Sequence, residues 1–240
     1  MMNESVQIIP LSNLLIVFIP VAIVLVIYLN WSLNIKEAGY SLTRMLLQLS
    51  IIGYLLGVIF DIGNGWVLLL VITIMLFASG WIALRTVEKL RVELLGRALI
   101  AIIVGSVSIL LLIMLGVLDL EPWYSSQYMI PLAGMIFANS MNCISLSIDR
   151  LVSELKRDVG YIEARNAAFQ AALIPIVNSL FAVGLVTLPG MMTGQILSGV
   201  DPLIAARYQI MVMCMIFGSA GITTAFFLKI VEKKLSSRYS

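Results

Sequence analysis

Asn139, Asn142 and Ser145 recur every three residues inside an otherwise apolar stretch, which sets three hydrogen-bonding side chains on one helix face with Met135. A second polar group stands further along, where Asn178 and Ser179 follow Pro175. An amide donates and accepts without a fixed charge. It can therefore contact a polar solute without trapping it as a buried carboxylate would. The same groups can also tie one helix to another, and the residues alone leave both roles open. An amide unpaired in hydrocarbon costs about 4–8 kcal/mol, so each must meet a neighbouring helix or a water-filled path. Pro175 removes one backbone hydrogen bond and frees the carbonyl of Ala171, so a helix bend is expected there. On that reading Asn139, Asn142, Asn178 and Ser179 converge near the bend, between neighbouring helices.

Thirteen methionines offer soft thioether sulfur. Met211, Met213 and Met215 lie two apart, cannot share a helix face, and read as packing. Met135, Met191 and Met192 remain candidates for the solute path, the last two beside a bend expected at Pro189 and Gly190. No resident metal site stands out: the chain has no His and no HExxH, and no charged residue needs to sit deep in an apolar run. That argues against proton-coupled transport, redox chemistry and intramembrane proteolysis. No catalytic residue is assigned, and no cofactor is expected on this chain. Cys143 and Cys214 lie in apolar runs and read as small apolar filler.

The elements that must position these side chains are seven apolar runs, at about 11–31, 45–60, 66–84, 98–118, 129–148, 167–190 and 203–228. A hydrocarbon core about 30 Å thick takes about 20 residues per helix. With 61% hydrophobic residues and a mean hydropathy of +1.05, the expectation is an all-α, polytopic membrane protein, one transmembrane domain over 1–240. Of its fifteen Lys and Arg residues, all but Arg207 fall in alternate gaps, at 36–44, 85–97, 150–165 and 229–238. Cytoplasmic loops retain Lys and Arg, which puts the N-terminus outside and the C-terminus in the cytoplasm. Trp31, Trp66, Trp81, Trp123, Tyr124 and Tyr128 stand near run ends, where amphipathic rings prefer the headgroup level. Asp61, Gly63, Asn64 and Gly65 predict a tight turn, and Asp201-Pro202 predicts a helix start. Pairs of small residues at Gly53/Gly57, Gly134/Ala138 and Gly190/Gly194 would let helices approach closely. Basic residues interleaved with acids leave no nucleic-acid footprint. Because the runs use most of the chain, any ATP-hydrolysing machinery is expected on another one.

The longest polar segment is 149–165. Within it Leu151, Leu155, Val159 and Ile162 recur at helical spacing among charged residues. This predicts an amphipathic cytoplasmic helix, broken near Gly160. It could lie on the inner membrane surface. It could instead dock a cytoplasmic partner through Glu154, Arg157, Asp158, Ile162 and Glu163.

Several strings carry a family likeness. Ile130-Pro-Leu-Ala-Gly-Met-Ile-Phe-Ala-Asn139 opens the fifth run, and Ala171-Ala-Leu-Ile-Pro175 with Asn178-Ser179 lies in the sixth. Leu188-Pro-Gly-Met-Met-Thr-Gly194, Gly199-Val-Asp-Pro202 and Arg207-Tyr-Gln-Ile-Met211 follow. Together they resemble the FetB-type iron-export permeases, a group that includes the plant aluminium-sensitivity permeases, over about residues 40–230. The resemblance implies an inner-membrane ABC exporter permease that works with a separate ATP-binding cassette subunit and a second copy of itself. It also implies that 149–165 docks the ATPase. The chain departs from the pattern in a shorter connection between Tyr161-Ile-Glu-Ala164 and the Ala-Ala-Leu-Ile-Pro string, which implies either a shortened docking element or a chain altered from its natural form. Iron comes from the resemblance alone. The residues equally allow export of a polar organic solute such as a nucleotide-sugar, or a membrane scaffold that transports nothing.

Overall fold

A computed structural model describes residues 9–62, 64–122 and 124–239. The chain divides into two compact units, Met1–Ile62 and Gly63–Ser240. Helices make up nearly all of the described residues, and no β-sheet forms among them.

In the first unit, α1 (Leu11–Leu14) and a tight turn at Leu15–Val17 lead into α2 (Phe18–Asn30), followed by α3 (Ile35–Ile62). The joint between α2 and α3 closes locally. The Leu33 amide donates to the Tyr28 carbonyl at 2.8 Å, and the Glu37 amide to Asn34 Oδ1 at 3.3 Å. Asn34 thus satisfies one of the free amides that every helix start leaves. A Cβ at Gly53 or Gly57 would meet nothing within 4 Å, so that pair does not mark a close approach.

The second unit runs from α4 (Gly65–Ala83) through a 3₁₀ stretch (Arg85–Leu90) to α5 (Arg91–Ile102), a π turn (Ile103–Val107) and α6 (Ser108–Gly116). The hairpin of α7 (Ser126–Leu155) and α8 (Tyr161–Ala182) follows, then the short α9 (Gly190–Leu197) and the long α10 (Pro202–Tyr239). Among the described residues, six helical segments are long and apolar enough to cross a membrane: Ser12–Asn30, Ile35–Phe60, Gly65–Ala83, Arg85–Gly116, Ser126–Leu155 and Pro202–Tyr239. The 22 residues of α8 reach about 33 Å, enough for a seventh crossing. This helix falls outside the six because Glu163, Arg165, Asn166, Gln170 and Asn178 interrupt its apolar stretch.

Two features of the expected sixth run are corrected. Its helix ends at Ala182, not near residue 190. Gly184 then takes φ +82°, a conformation open to glycine and costly for other residues, and its amide bonds the Thr187 carbonyl at 3.0 Å. Pro189 and Gly190 do not bend a continuous helix: Pro189 caps α9 and Gly190 is its first residue. Pro175 lies inside α8, which continues as helix past it to Ala182. The helix start expected at Asp201 is present, with Asp201 Oδ1 accepting the Leu203 amide at 2.8 Å. Asn64 caps α4 by accepting the Trp66 amide at 2.8 Å, while Gly63 and Trp123 fall outside the described residues.

Within the second unit the basic segments gather at one end. Glu93 of α5 pairs with Lys234 and Arg238 of α10, the latter at 3.2 Å. The Tyr161 hydroxyl donates to the Leu228 carbonyl, joining the start of α8 to the last third of α10. The Arg91 guanidinium lies 4.2 Å from the centre of the Trp81 ring and its Nε donates to the Trp81 carbonyl at 2.9 Å. Such a cation–π contact contributes about 0.5–1 kcal/mol at an exposed site. Arg207 lies near the start of α10, about 30 Å or more along that helix from Lys229 at 1.5 Å per residue.

Candidate functional site

The expected convergence of the polar residues does not occur. Asn139 is half-buried and gives its Nδ2 hydrogen to the Met135 carbonyl at 2.8 Å, on its own helix. Ser179 does the same toward the Pro175 carbonyl at 2.9 Å. Asn142 and Asn178 are exposed. Instead, Cys143, Ala172 and Ile176 close the seam between α7 and α8, with Ala220 from α10 and flanking Leu173 and Ile216. Cys143 Sγ donates to the Ala172 carbonyl at 3.2 Å within that seam. Helix geometry explains the outcome. With Cys143 at the seam, Asn142 is rotated about 100° from it, and Asn178, two residues past Ile176, about 200°. Met135 is half-buried beside Asn139, whereas Met191 and Met192 sit half-buried on α9, beyond the end of α8.

A different polar junction forms in the core. Ser106 of the π turn donates to Ser140 Oγ of α7 at 2.8 Å and lies 3.1 Å from the Thr223 hydroxyl of α10. All three side chains are fully buried. Beside them Gly105 presses against α10 so closely that a Cβ would stand 2.2 Å from Thr223 Oγ1 and 2.5 Å from its backbone nitrogen. Gly80 is a second close approach, where a Cβ would meet Leu99 Cδ2 at 2.6 Å. A π turn widens the backbone by one residue and recurs at functional positions; here it brings Gly105 and Ser106 onto α10. The sequence signal was slight: an adjacent Gly and Ser inside an apolar run, with no periodicity to mark their partners.

At the charged end, 149–165 is not a helix of its own. Residues 149–155 are the last turns of α7, residues 156–160 form a tight corner with Asp158 at φ 60°, and α8 begins at Tyr161. Leu151 and Leu155 are buried in the bundle. Glu154, expected on the display face, is buried and paired to Arg150 at 2.5 Å. A charge one turn away on the same helix neutralises it, which is what allows it to turn inward. Arg157, Asp158 and Glu163 remain exposed, and among them Ile162 is 65% exposed. An apolar knob ringed by charges therefore projects at this corner, beside a cleft of about 680 Å³ that Ile162 lines with Gly160, Tyr161, Glu163, Asn166 and Glu232. Among the described residues, no three His, Cys, Asp or Glu side chains group closely enough to hold a metal ion.

Residues 11–236 match the uncharacterised protein family UPF0014. The chain is 37% identical over 196 residues to UPF0014 membrane protein slr1647 of Synechocystis, covering 75% of this chain and 76% of the relative. It is 34% identical over 205 residues to the probable iron export permease protein FetB of Escherichia coli, covering 79% and 77%. It is 33% identical over 224 residues to the protein ALUMINUM SENSITIVE 3 of Arabidopsis thaliana, covering 85% and 80%. No solved structure matches it significantly. With its apolar helices of spanning length and a match over nearly its whole described length, the chain belongs to the UPF0014 family of multi-pass membrane proteins.

Proposed function

We propose that this chain is the inner-membrane permease subunit of an ABC exporter, that its substrate is iron or another metal ion, and that a separate ATP-binding cassette subunit hydrolyses the ATP. The observation that carries the reading is the identity of 34% shared with the probable iron export permease over 79% of this chain. In this reading the ATPase docks on the α7–α8 corner, through Ile162 with Arg157, Asp158 and Glu163 around it. The charged end faces the cytoplasm, as Lys and Arg retention requires. A cysteine at exposed Ser153 should then be shielded from an impermeant thiol reagent in intact cells, and one at exposed Gln127 should react. The reverse pattern would place the corner outside, out of reach of ATP.

The exposed Asn142 lies near the middle of α7. An amide there facing lipid alone would cost several kcal/mol, so a second copy of the chain covers it and the solute path runs between the two. The metal passes through transient amide, carbonyl and thioether contacts, which bind a hard or borderline cation weakly and so release it. Everted membrane vesicles holding this chain and the ATPase should accumulate Fe²⁺ when given ATP. Asn142→Leu with Asn178→Leu should cut the initial rate about tenfold at an unchanged amount of membrane protein. Absence of ATP-dependent Fe²⁺ accumulation by the unaltered pair would overturn the substrate.

A further inference from the structure

We propose that the cleft between α8 and α10 at the charged end binds the headgroup phosphate of an anionic phospholipid. The cleft holds about 360 Å³ and is lined by Arg165, Asn166, Phe169, Ala225, Leu228, Lys229 and Glu232. Its layering is what points to a lipid. The two helices run in opposite directions: Tyr161 at the start of α8 meets Leu228, whereas Ala172 and Ile176 further along α8 pack with Ala220, earlier in α10. Phe169 is four residues after Arg165 and Ala225 four before Lys229, so each apolar residue lies one turn, about 6 Å, deeper than its cation. Two positive groups therefore share the rim while an apolar floor lies on the membrane side. A phosphodiester with acyl chains below it has the same sequence of layers.

The rim is free to accept the phosphate. Among the described residues the Arg165 guanidinium donates only to the neighbouring Asn166 Oδ1, at 3.1 and 3.3 Å, and neither Arg165 nor Lys229 forms an ion pair. A guanidinium presents a fork that matches two phosphate oxygens, and the Lys ammonium adds a point charge. Glu232, three residues beyond Lys229, stands on the outer side of the cleft. Its carboxylate repels a doubly charged soluble phosphate more than a singly charged diester held deeper, which favours the lipid over the free ion. Basic pockets between membrane helices bind acidic headgroups in this manner. The site rests on the spanning fold and not on the export reading, so either can fail without the other.

The test titrates the purified full chain in neutral detergent with dioleoyl phosphatidylglycerol and with dioleoyl phosphatidylcholine. Two cations at the headgroup level predict about a thirtyfold preference for the anionic lipid, weakening as salt is raised. Arg165→Gln with Lys229→Gln should abolish the preference, and Lys229→Gln alone, at an exposed position, should lower it. Arg165→Lys with Lys229→Arg should keep it, as should Lys233→Gln, which alters an exposed charge outside the cleft. Equal binding of the two lipids by the unaltered chain, or an undiminished preference in Lys229→Gln, would overturn the proposal. So would displacement of phosphatidylglycerol by millimolar inorganic phosphate, which would make the cleft a site for soluble anions.

Discussion

Alanine at Gly105 lowers the midpoint of thermal unfolding in detergent by on the order of 10 °C, and alanine at Gly96 leaves it unchanged or slightly raised. The new Cβ at 105 would stand 2.2 Å from Thr223 Oγ1, 2.5 Å from its nitrogen and 2.7 Å from its Cα. Two of those three atoms are helix backbone and cannot rotate aside, so α10 must move away from the π turn. Overpacking of this kind costs about 1–3 kcal/mol. The displacement also breaks the fully buried bonds from Ser106 to Ser140 and Thr223, at about 1 kcal/mol each. For a chain of this size each kcal/mol shifts the midpoint by about 2–4 °C. At Gly96 a Cβ meets nothing within 4 Å, so only the favourable helix propensity of alanine remains. Equal midpoints for the two variants would mean that α10 does not press on the π turn.

Ile162→Asp reduces copurification of the ATPase subunit about thirtyfold while the chain still inserts and elutes as the unaltered protein does. Ile162 is 65% exposed, so its loss leaves no cavity in the bundle and costs little in folding. In a docked complex the same side chain would be the apolar centre of a contact ringed by Arg157, Asp158 and Glu163. Central anchors of that kind contribute about 2 kcal/mol or more to binding, which is about thirtyfold in affinity. Glu154→Gln makes the comparison sharper. Its carboxylate is buried against Arg150, so the change should act on stability and leave docking affinity alone. Copurification undiminished in Ile162→Asp would remove the corner from the interface.

The spans, the cap at Asp201 and the gathering of charge at one end of the second unit were legible because each depends on local composition or on a single helix start, whereas the residues around Asn64 signalled a turn and not the cap that Asn64 supplies. The break after Ala182 was hidden. Leu185, Val186 and Leu188 continue the apolar run, while the turn depends on the positive φ of Gly184, which hydropathy does not report. The spacing of Asn139 and Asn142 gave a shared face but not the neighbour that face meets, since that depends on the register of α7 against α8. Cys143 and Ala172 set that register, and it turns Asn142 away. Glu154 was misplaced for a related reason: periodicity sees a charge and assigns it to water, whereas an Arg four residues earlier lets it go inward. Of the small-residue pairs, Gly134 alone meets a neighbour, Met75 Cε at 3.5 Å from its Cβ position. The tightest approaches, at Gly80 and Gly105, lie outside any GxxxG spacing.

The most direct test of the permease reading is the ATP hydrolysis rate of the ATPase subunit, measured alone, with this chain in proteoliposomes, and with the Ile162→Asp variant at equal amount. The reading predicts a rate that rises several-fold with the unaltered chain and stays at the level of the ATPase alone with the variant. A rate indifferent to the presence of this chain, or raised equally by the variant, would contradict it.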